Sequence, residues 1–193
     1  MGRRFVIVWR VSVSEFFVHR LRLLAGSTAS LLAMVGVGAI LLPAASADRI
    51  VRGCTVVAHP TLQHHASCAG AGLSRANLSR ANLSYADLTH ANLTRAKLSR
   101  ANLFHANLSE ATLDGANLTR ARLSRADLTH SSLVRANLSH AIAHSANLSH
   151  ANMFRTVLSG ADLRGADLTD AGVSSAKFCH TTMPDGHTDN SAC

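Results

Sequence analysis

The sequence predicts an all-β fold, a solenoid of stacked square coils. Two observations predict it. From Ala66 to about His180 the sequence repeats every five residues, and no insertion breaks the phase. Within each five, two fixed positions are small or apolar and the other three are mostly polar. Ala76-Asn77-Leu78-Ser79-Arg80 is followed by Ala81-Asn82-Leu83-Ser84-Tyr85 and then Ala86-Asp87-Leu88-Thr89-His90. With the Leu as centre, a small residue stands two before it at all 23 steps, Ala at 21 and otherwise Ser131 and Thr156. The centre is Leu at 18 steps; the exceptions are Cys68, Ala143, Met153, Val173 and Phe178.

A strict period outranks local propensity. Helical apolar positions recur at three and four, strand positions at two, so five fits neither. A Leu every fifth residue would spiral around a helix and be buried nowhere. A chain that turns a corner every five residues closes a coil in 20. The centre and the small residue then point inward on every side, and the other three positions point out. Coils stack at about the strand spacing of 4.8 Å. The 23 steps make about 5–6 such coils.

These residues carry a resemblance. Tandem Ala-(Asn/Asp)-Leu-(Ser/Thr)-X is similar to the pentapeptide-repeat family, over about 115 of the 193 residues. The resemblance implies a right-handed quadrilateral β-helix. It says less of function, because a fold does not fix what is grafted on it.

Residues 1–47 read as a signal peptide. Arg3, Arg4, Arg10, Arg20 and Arg22 make the front basic, and Leu23 to Leu42 carries no charge. Pro43 breaks the run, and Ala45-Ser46-Ala47 offers the small residues of a cleavage site. The alternative is an uncleaved membrane anchor, since twenty uncharged residues just reach across a bilayer. Six Gly, Ser and Thr residues dilute that run. Residues 48–65 lack the five-residue phase and read as an N-terminal cap, with a short strand expected around Ile50-Val51 and Thr55-Val56-Val57. An open coil end exposes Leu and unpaired backbone, which calls for such a cover. Residues 66–180 are the β-helix and 181–193 a C-terminal cap.

Cys54, Cys68, Cys179 and Cys193 form two pairs, each 14 positions apart, one flanking each end of the repeat. An even count behind an export signal implies disulfides, with three connectivities possible. Only Cys54–Cys68 with Cys179–Cys193 avoids bridging opposite ends of a rod roughly 25–30 Å long. Four free thiols are the alternative. The same distance excludes one zinc site built from all four. Residues Phe178 to Gly186 resemble the C-terminal cap of secreted bacterial pentapeptide-repeat proteins.

Catalysis finds little to work with. Ser and Thr are periodic, and no His–acid pair is singled out to activate one. There is no glycine-rich phosphate loop and no CxxC. A straight solenoid also lacks a deep pocket. No enzyme and no cofactor are expected. The seven Asn-Leu-(Ser/Thr) triplets match a glycosylation acceptor, but the repeat itself generates them.

The position two after the centre is the variable one. Residues 20 apart should form columns. One holds Arg75, Arg95, Gly115, Arg135 and Arg155; the next holds Arg80, Arg100, Arg120, His140 and Gly160. A third holds Tyr85, His105, Arg125, Ser145 and Gly165, and the fourth His90, Glu110, His130, His150 and Asp170. The seven Arg of the first two columns are candidate polyanion contacts, against the alternative of a merely soluble surface. Glu110, His130 and His150 are weak candidates for a divalent metal, since His and carboxylate ligate such ions; otherwise no metal site is expected. Phe104, Val134, Ile142, Phe154 and Val157 sit at outward positions and could form a small apolar contact patch.

The expected function is that of a secreted, non-enzymatic binding or structural module, of unknown oligomeric state, whose partner is a protein or an anionic envelope polymer. The rival comes from the resemblance: some cytosolic family members imitate DNA and bind DNA gyrase, a topoisomerase. That role needs a strongly acidic surface. Beyond residue 47 this chain has 14 Lys+Arg against 10 Asp+Glu, a balance of +4. Direct nucleic-acid binding suits the charge, but 4 % aromatic residues leave little for stacking bases.

Export is tested by N-terminal sequencing of material recovered outside the cytoplasm. A mature protein beginning at Asp48 is expected. Intact residues 1–47 in a membrane fraction would show an anchor instead.

Overall fold

The computed structural model describes residues 49–51, 54–56 and 65–193. The signal segment, Asp48, Val57 and most of the expected N-terminal cap lie outside them. Two short strands precede the repeat. β1 (Arg49–Val51) pairs antiparallel with β2 (Cys54–Val56), and Val51 faces Cys54. Among the described residues no helix is long and apolar enough to cross a membrane.

From Ser67 to Thr182 the chain is a stack of coils. Isolated parallel bridges join residue i to i+20 and recur every five residues, from Ser67–Asp87 to Asp162–Thr182. The expected four-sided coil of 20 residues is therefore what forms. Its regularity comes from a fixed set of backbone hydrogen bonds. In the step 116–120, Asn117 N–H donates to Ala96 O of the coil before (2.9 Å). Leu118 N–H donates to Asn137 O of the coil after (2.7 Å), and Arg120 N–H to Ser139 O (2.9 Å). Ala121 N–H closes the corner onto Leu118 O (2.9 Å).

That last bond defines a β-turn over centre, Ser/Thr, X and the next small residue. Such a turn with φ above zero at its third residue is type II, which ordinarily wants Gly or Asn there. Here every X is left-handed: 19 non-glycine residues from Arg75 to His180, with φ between 52° and 59°, and Gly70, Gly115, Gly160 and Gly165. No Val, Ile or Thr stands at any of the 23. A branched Cβ is the side chain least tolerated at φ > 0. The outward position read from sequence as freely variable is thus conformationally selective.

A second local device sets the corner. The residue before the centre, usually Asn or Asp, turns its Oδ1 onto the turn. It accepts from the N–H two residues on, as Asn117 does from Thr119 (3.0 Å), and from the hydroxyl of the same Thr (2.6 Å). This is the side-chain turn that Asn and Asp form most readily. The Asn-Leu-(Ser/Thr) triplets are its sequence signature.

The core is the stacked centres and small residues. The centres from Leu73 to Leu163 are buried, and so are the Ala positions between them except the half-buried Ala81. Thr156 and Thr181 replace Ala inward and give their hydroxyls to Leu133 O (2.7 Å) and Leu158 O (2.8 Å). Ser131 does not: its Oγ is buried without a partner.

The repeat runs one step further than the sequence reading placed it. Thr181-Thr182-Met183 continue it, with Leu163 N–H donating to Thr182 O and Gly165 N–H to Pro184 O. The corner bond still forms there, Gly186 N–H to Met183 O (2.9 Å), but Asp185 is not left-handed, so the turn is of another type and the chain doubles back. β3 (Thr181–Thr182) then pairs antiparallel with β4 (Thr188–Asp189). The tail returns to the last coil at Thr181, Thr182 and His180, whereas Leu168 is half-buried and Val173 is 38 % exposed.

Cys54 is joined to Cys68 and Cys179 to Cys193, with Cα–Cα distances of 4.6 and 4.7 Å. Peptide mapping without reduction is expected to recover these two links. A bond between the first pair and the second would contradict the coil stack between them.

Core and corner give a paired test by thermal or denaturant unfolding. Leu118→Asp buries a charge and should cost several kcal/mol. Arg120→Gln, at the adjacent corner, should change stability by under about 0.5 kcal/mol. Arg120→Val should cost about 1 kcal/mol or more beyond what Arg already bears, because a branched Cβ at φ > 0 is strained further. Equal effects of Val and Gln would refute the corner constraint.

Candidate functional site

The outward surface has four sides separated by corners. Register places residues 20 apart above one another. Arg75, Arg95, Arg135 and Arg155 therefore line one corner, and Arg80, Arg100 and Arg120 the next. The side between them holds Asn77, Lys97, Asn117, Asn137, Val157 and Lys177. It carries no carboxylate. Asp114 belongs to its first corner, but turns away: its Oδ1 accepts from Ser132 Oγ (2.5 Å) and Val134 N–H (3.2 Å) on the neighbouring side. At that level Gly115 replaces Arg, and the Arg95 stem crosses the gap, its Cγ 3.4 Å from where a Cβ on Gly115 would sit. None of the seven Arg pairs with an acid among the described residues. Arg155 instead lies over the Phe154 ring, 5.0 Å from its centroid. A shallow depression at the first corner is lined by Ser74, Arg75, Asn92, Thr94 and Arg95.

Charge segregation around the coil was not anticipated. Lys97 and Lys177 join the Arg side, which with its corners holds nine of the twelve Lys and Arg of the coils. The opposite side carries Asp87, Asp127 and Asp167, alternating with Asn107 and Asn147, and Glu110 and Asp170 stand at its edge. Five of the seven coil carboxylates thus face away from the Arg. The signal was present in the five-residue phase, at the position before the centre.

The fourth column is a ladder of contacts rather than a metal cage. His90 Nδ1 lies 3.4 Å from Glu110 Oε2, and His150 Nδ1 3.7 Å from Asp170 Oδ2. The His130 and His150 rings are stacked, centroids 4.7 Å apart. Glu110, His130 and His150 each face a different neighbour and do not converge on one point. Among the described residues the one trio of ligand atoms within 4.8 Å is Cys179, His180 and Cys193. Its two sulfurs are already joined to each other.

The apolar patch divides. Phe104 meets Tyr85 edge-on (5.8 Å) and His105 (4.6 Å), and Tyr85 stacks on His105 (5.4 Å). Ile142 stands 40 % exposed two coils further along the same side, while Val134 and Val157, each on another side, are half-buried. Near Ile142 is a cluster that the sequence reading missed. Arg164 grips Asp162 through Nε (3.0 Å) and Nη2 (2.8 Å), and His144 Nε2 lies 2.7 Å from the same carboxylate. The Arg164 guanidinium, helped by His144, holds the Asp162 carboxyl far below the usual carboxylate range.

Pentapeptide repeats, in the family model of that description, match residues 64–183 in overlapping segments. The chain belongs to the pentapeptide-repeat family. With it comes the fold class, the right-handed quadrilateral β-helix. Similar solved structures include a pentapeptide repeat protein from the cyanobacterium Cyanothece 51142, 38 % identical, TM-score 0.45, over 48 % of this chain and 61 % of that one. Another is HetL from Nostoc sp. strain PCC 7120, a pentapeptide repeat protein involved in heterocyst differentiation regulation: 31 % identity, TM-score 0.24, 64 % of this chain and 76 % of that one. A third is QnrB1, a plasmid-mediated fluoroquinolone resistance protein: 19 % identity, TM-score 0.33, 55 % and 64 % covered. The match thus spans less than two thirds of the Cyanothece protein. Superpositions at such scores say nothing of function. No curated protein matches the chain.

Proposed function

We propose that this pentapeptide-repeat protein is an exported, non-enzymatic binding module whose Arg side holds linear anionic polymers of the cell envelope. One observation carries the reading: the strip between the two Arg corners has cations on both edges, Lys97 and Lys177 between them, and no carboxylate. Its floor is Asn and Ser or Thr. Their amide and hydroxyl groups offer hydrogen bonds to an anionic or hydroxylated chain lying along the axis. Like charges stacked about 5 Å apart repel, but at exposed sites water and salt reduce this to a fraction of a kcal/mol. The basic segment before residue 48 and the cysteine pairs support export.

A DNA mimic that binds a topoisomerase is the competing role. It needs acidic charge continuous along the rod. Five of the seven coil acids lie on one side and its edge, with Asp at every second coil, and the larger field is basic.

Retention on a sulfonate resin at low salt tests the reading, with the folded mature protein. Retention is expected, and it should fade above about 0.3 M salt, where screening becomes short. Changing all seven Arg to Gln should abolish it while the circular dichroism spectrum is kept. No salt-sensitive retention of the wild type would reduce the Arg rows to a soluble surface.

A further inference from the structure

We infer that the Arg side of one copy docks along the Asp side of a second copy, so that the protein associates side by side with itself. The sides are opposite in each coil, because they are the second and fourth of four. Both are flat, since the three residues of each side run straight between corners. The Arg corners repeat their charge at most coils, roughly 4.8 Å apart, and the Asp side repeats its own at every second coil, so the two spacings are commensurate. Two copies laid along one another therefore bring opposite charges together over their length.

The groups are available. None of the seven Arg is in an ion pair among the described residues. On the other side, Asp87 and Asp167 spend Oδ1 on the N–H and hydroxyl of Thr89 and Thr169. Asp127 does the same with Thr129. Among the described residues the second oxygen of each makes no hydrogen bond and is open to a partner. A carboxylate fixed by its own turn loses little side-chain freedom on docking, which lowers the cost of association.

The contact joins two different patches of one molecule, so it does not close on itself. Each copy bound through its Arg side still offers an Asp side to another, and heterologous contacts of this kind grow. A flat side of about five coils is smaller than a standard interface, so one contact is weak and depends on charge. The inference does not rest on polymer binding. An anionic polymer on the Arg side would compete with it.

Sedimentation velocity of the mature protein tests this over a hundredfold range of concentration, at about 20 mM and about 0.5 M salt. The sedimentation coefficient should rise with concentration at low salt and stay flat at high salt. Asp87→Asn, Asp127→Asn and Asp167→Asn together should remove the rise. Asn already stands at positions 92, 107, 117, 137 and 147 of the repeat and makes the same turn bonds, so the fold should be kept. Arg-to-Gln at the seven positions should remove it too. Mixing the two variants should restore one complementary contact and give a pair that does not grow. A flat coefficient for the wild type at low salt overturns the inference, and so does growth that survives the three Asn. The triple Asn variant keeps its Arg side. Its resin retention should match the wild type, which separates failure of this inference from failure of the polymer reading.

Discussion

Everything in this molecule depends on a left-handed residue at every fifth position. At X, φ lies near +57°, where an L-residue other than Gly or Asn is disfavoured by roughly 1–2 kcal/mol. The chain accepts that 19 times outside glycine. The gain at each corner is a closed turn and a direction change that returns the backbone beneath itself after 20 residues. Once there, three N–H groups per step find carbonyls in adjacent coils at 2.6–3.1 Å. The strain is local and the reward is cooperative. One corner that opened would strand the hydrogen bonds of the coils above and below it. The end of the stack illustrates the rule. At Asp185 the turn closes, Gly186 N–H on Met183 O, but without a left-handed third residue, and the chain does not go on into another coil.

The second constraint is volume. A square coil of 20 residues encloses room for four centres and four small side chains, and the interior is close-packed. Ala is required beside each Leu because two large residues would not fit. Departures are few. Ala143 at a centre is small, and Met153 in the next coil is longer and more adaptable than Leu, as a gap-filling thioether is. Thr in place of Ala adds a hydroxyl that must be satisfied. Thr156 and Thr181 each reach a carbonyl 23 residues earlier, the same geometry twice. Ser131 carries a hydroxyl on a shorter, unbranched side chain and reaches none. A buried unpaired hydroxyl costs about 1–3 kcal/mol.

The fold was legible because one number, five, determined which residues face in. Ala76, Leu78 and Arg80 were assigned correctly from phase alone, and so was the alignment of residues 20 apart. Three features were not legible. The left-handed corner hides in a position that looks free, and shows only as an absence of Val, Ile and Thr. The turn role of Asn117 or Asn137 is masked by its likeness to a glycosylation acceptor. The Asp162–Arg164–His144 cluster joins residues at non-equivalent positions of the repeat, so a column-by-column reading passes over it. The metal trio had a different fault. Glu110, His130 and His150 do share a column, but equal spacing makes a ladder of pairs. A metal needs ligands that converge, and parallel side chains on successive coils diverge from any one point.

The corner also bears on the surface chemistry. A position that must be left-handed, unbranched and exposed favours Gly, His, Asp and long straight side chains. Arg and His there are in part the residues the backbone admits. The presence of Arg at X is thus weak evidence of a ligand. Its distribution is stronger evidence. Conformation treats all four corners alike, yet the first two hold seven Arg and the fourth holds none, with His, Glu and Asp in their place. The position before the centre follows the same division, with Lys on one side and Asp on the opposite one, although both side chains stand on equivalent backbone. A backbone rule repeated 23 times cannot produce a difference between sides.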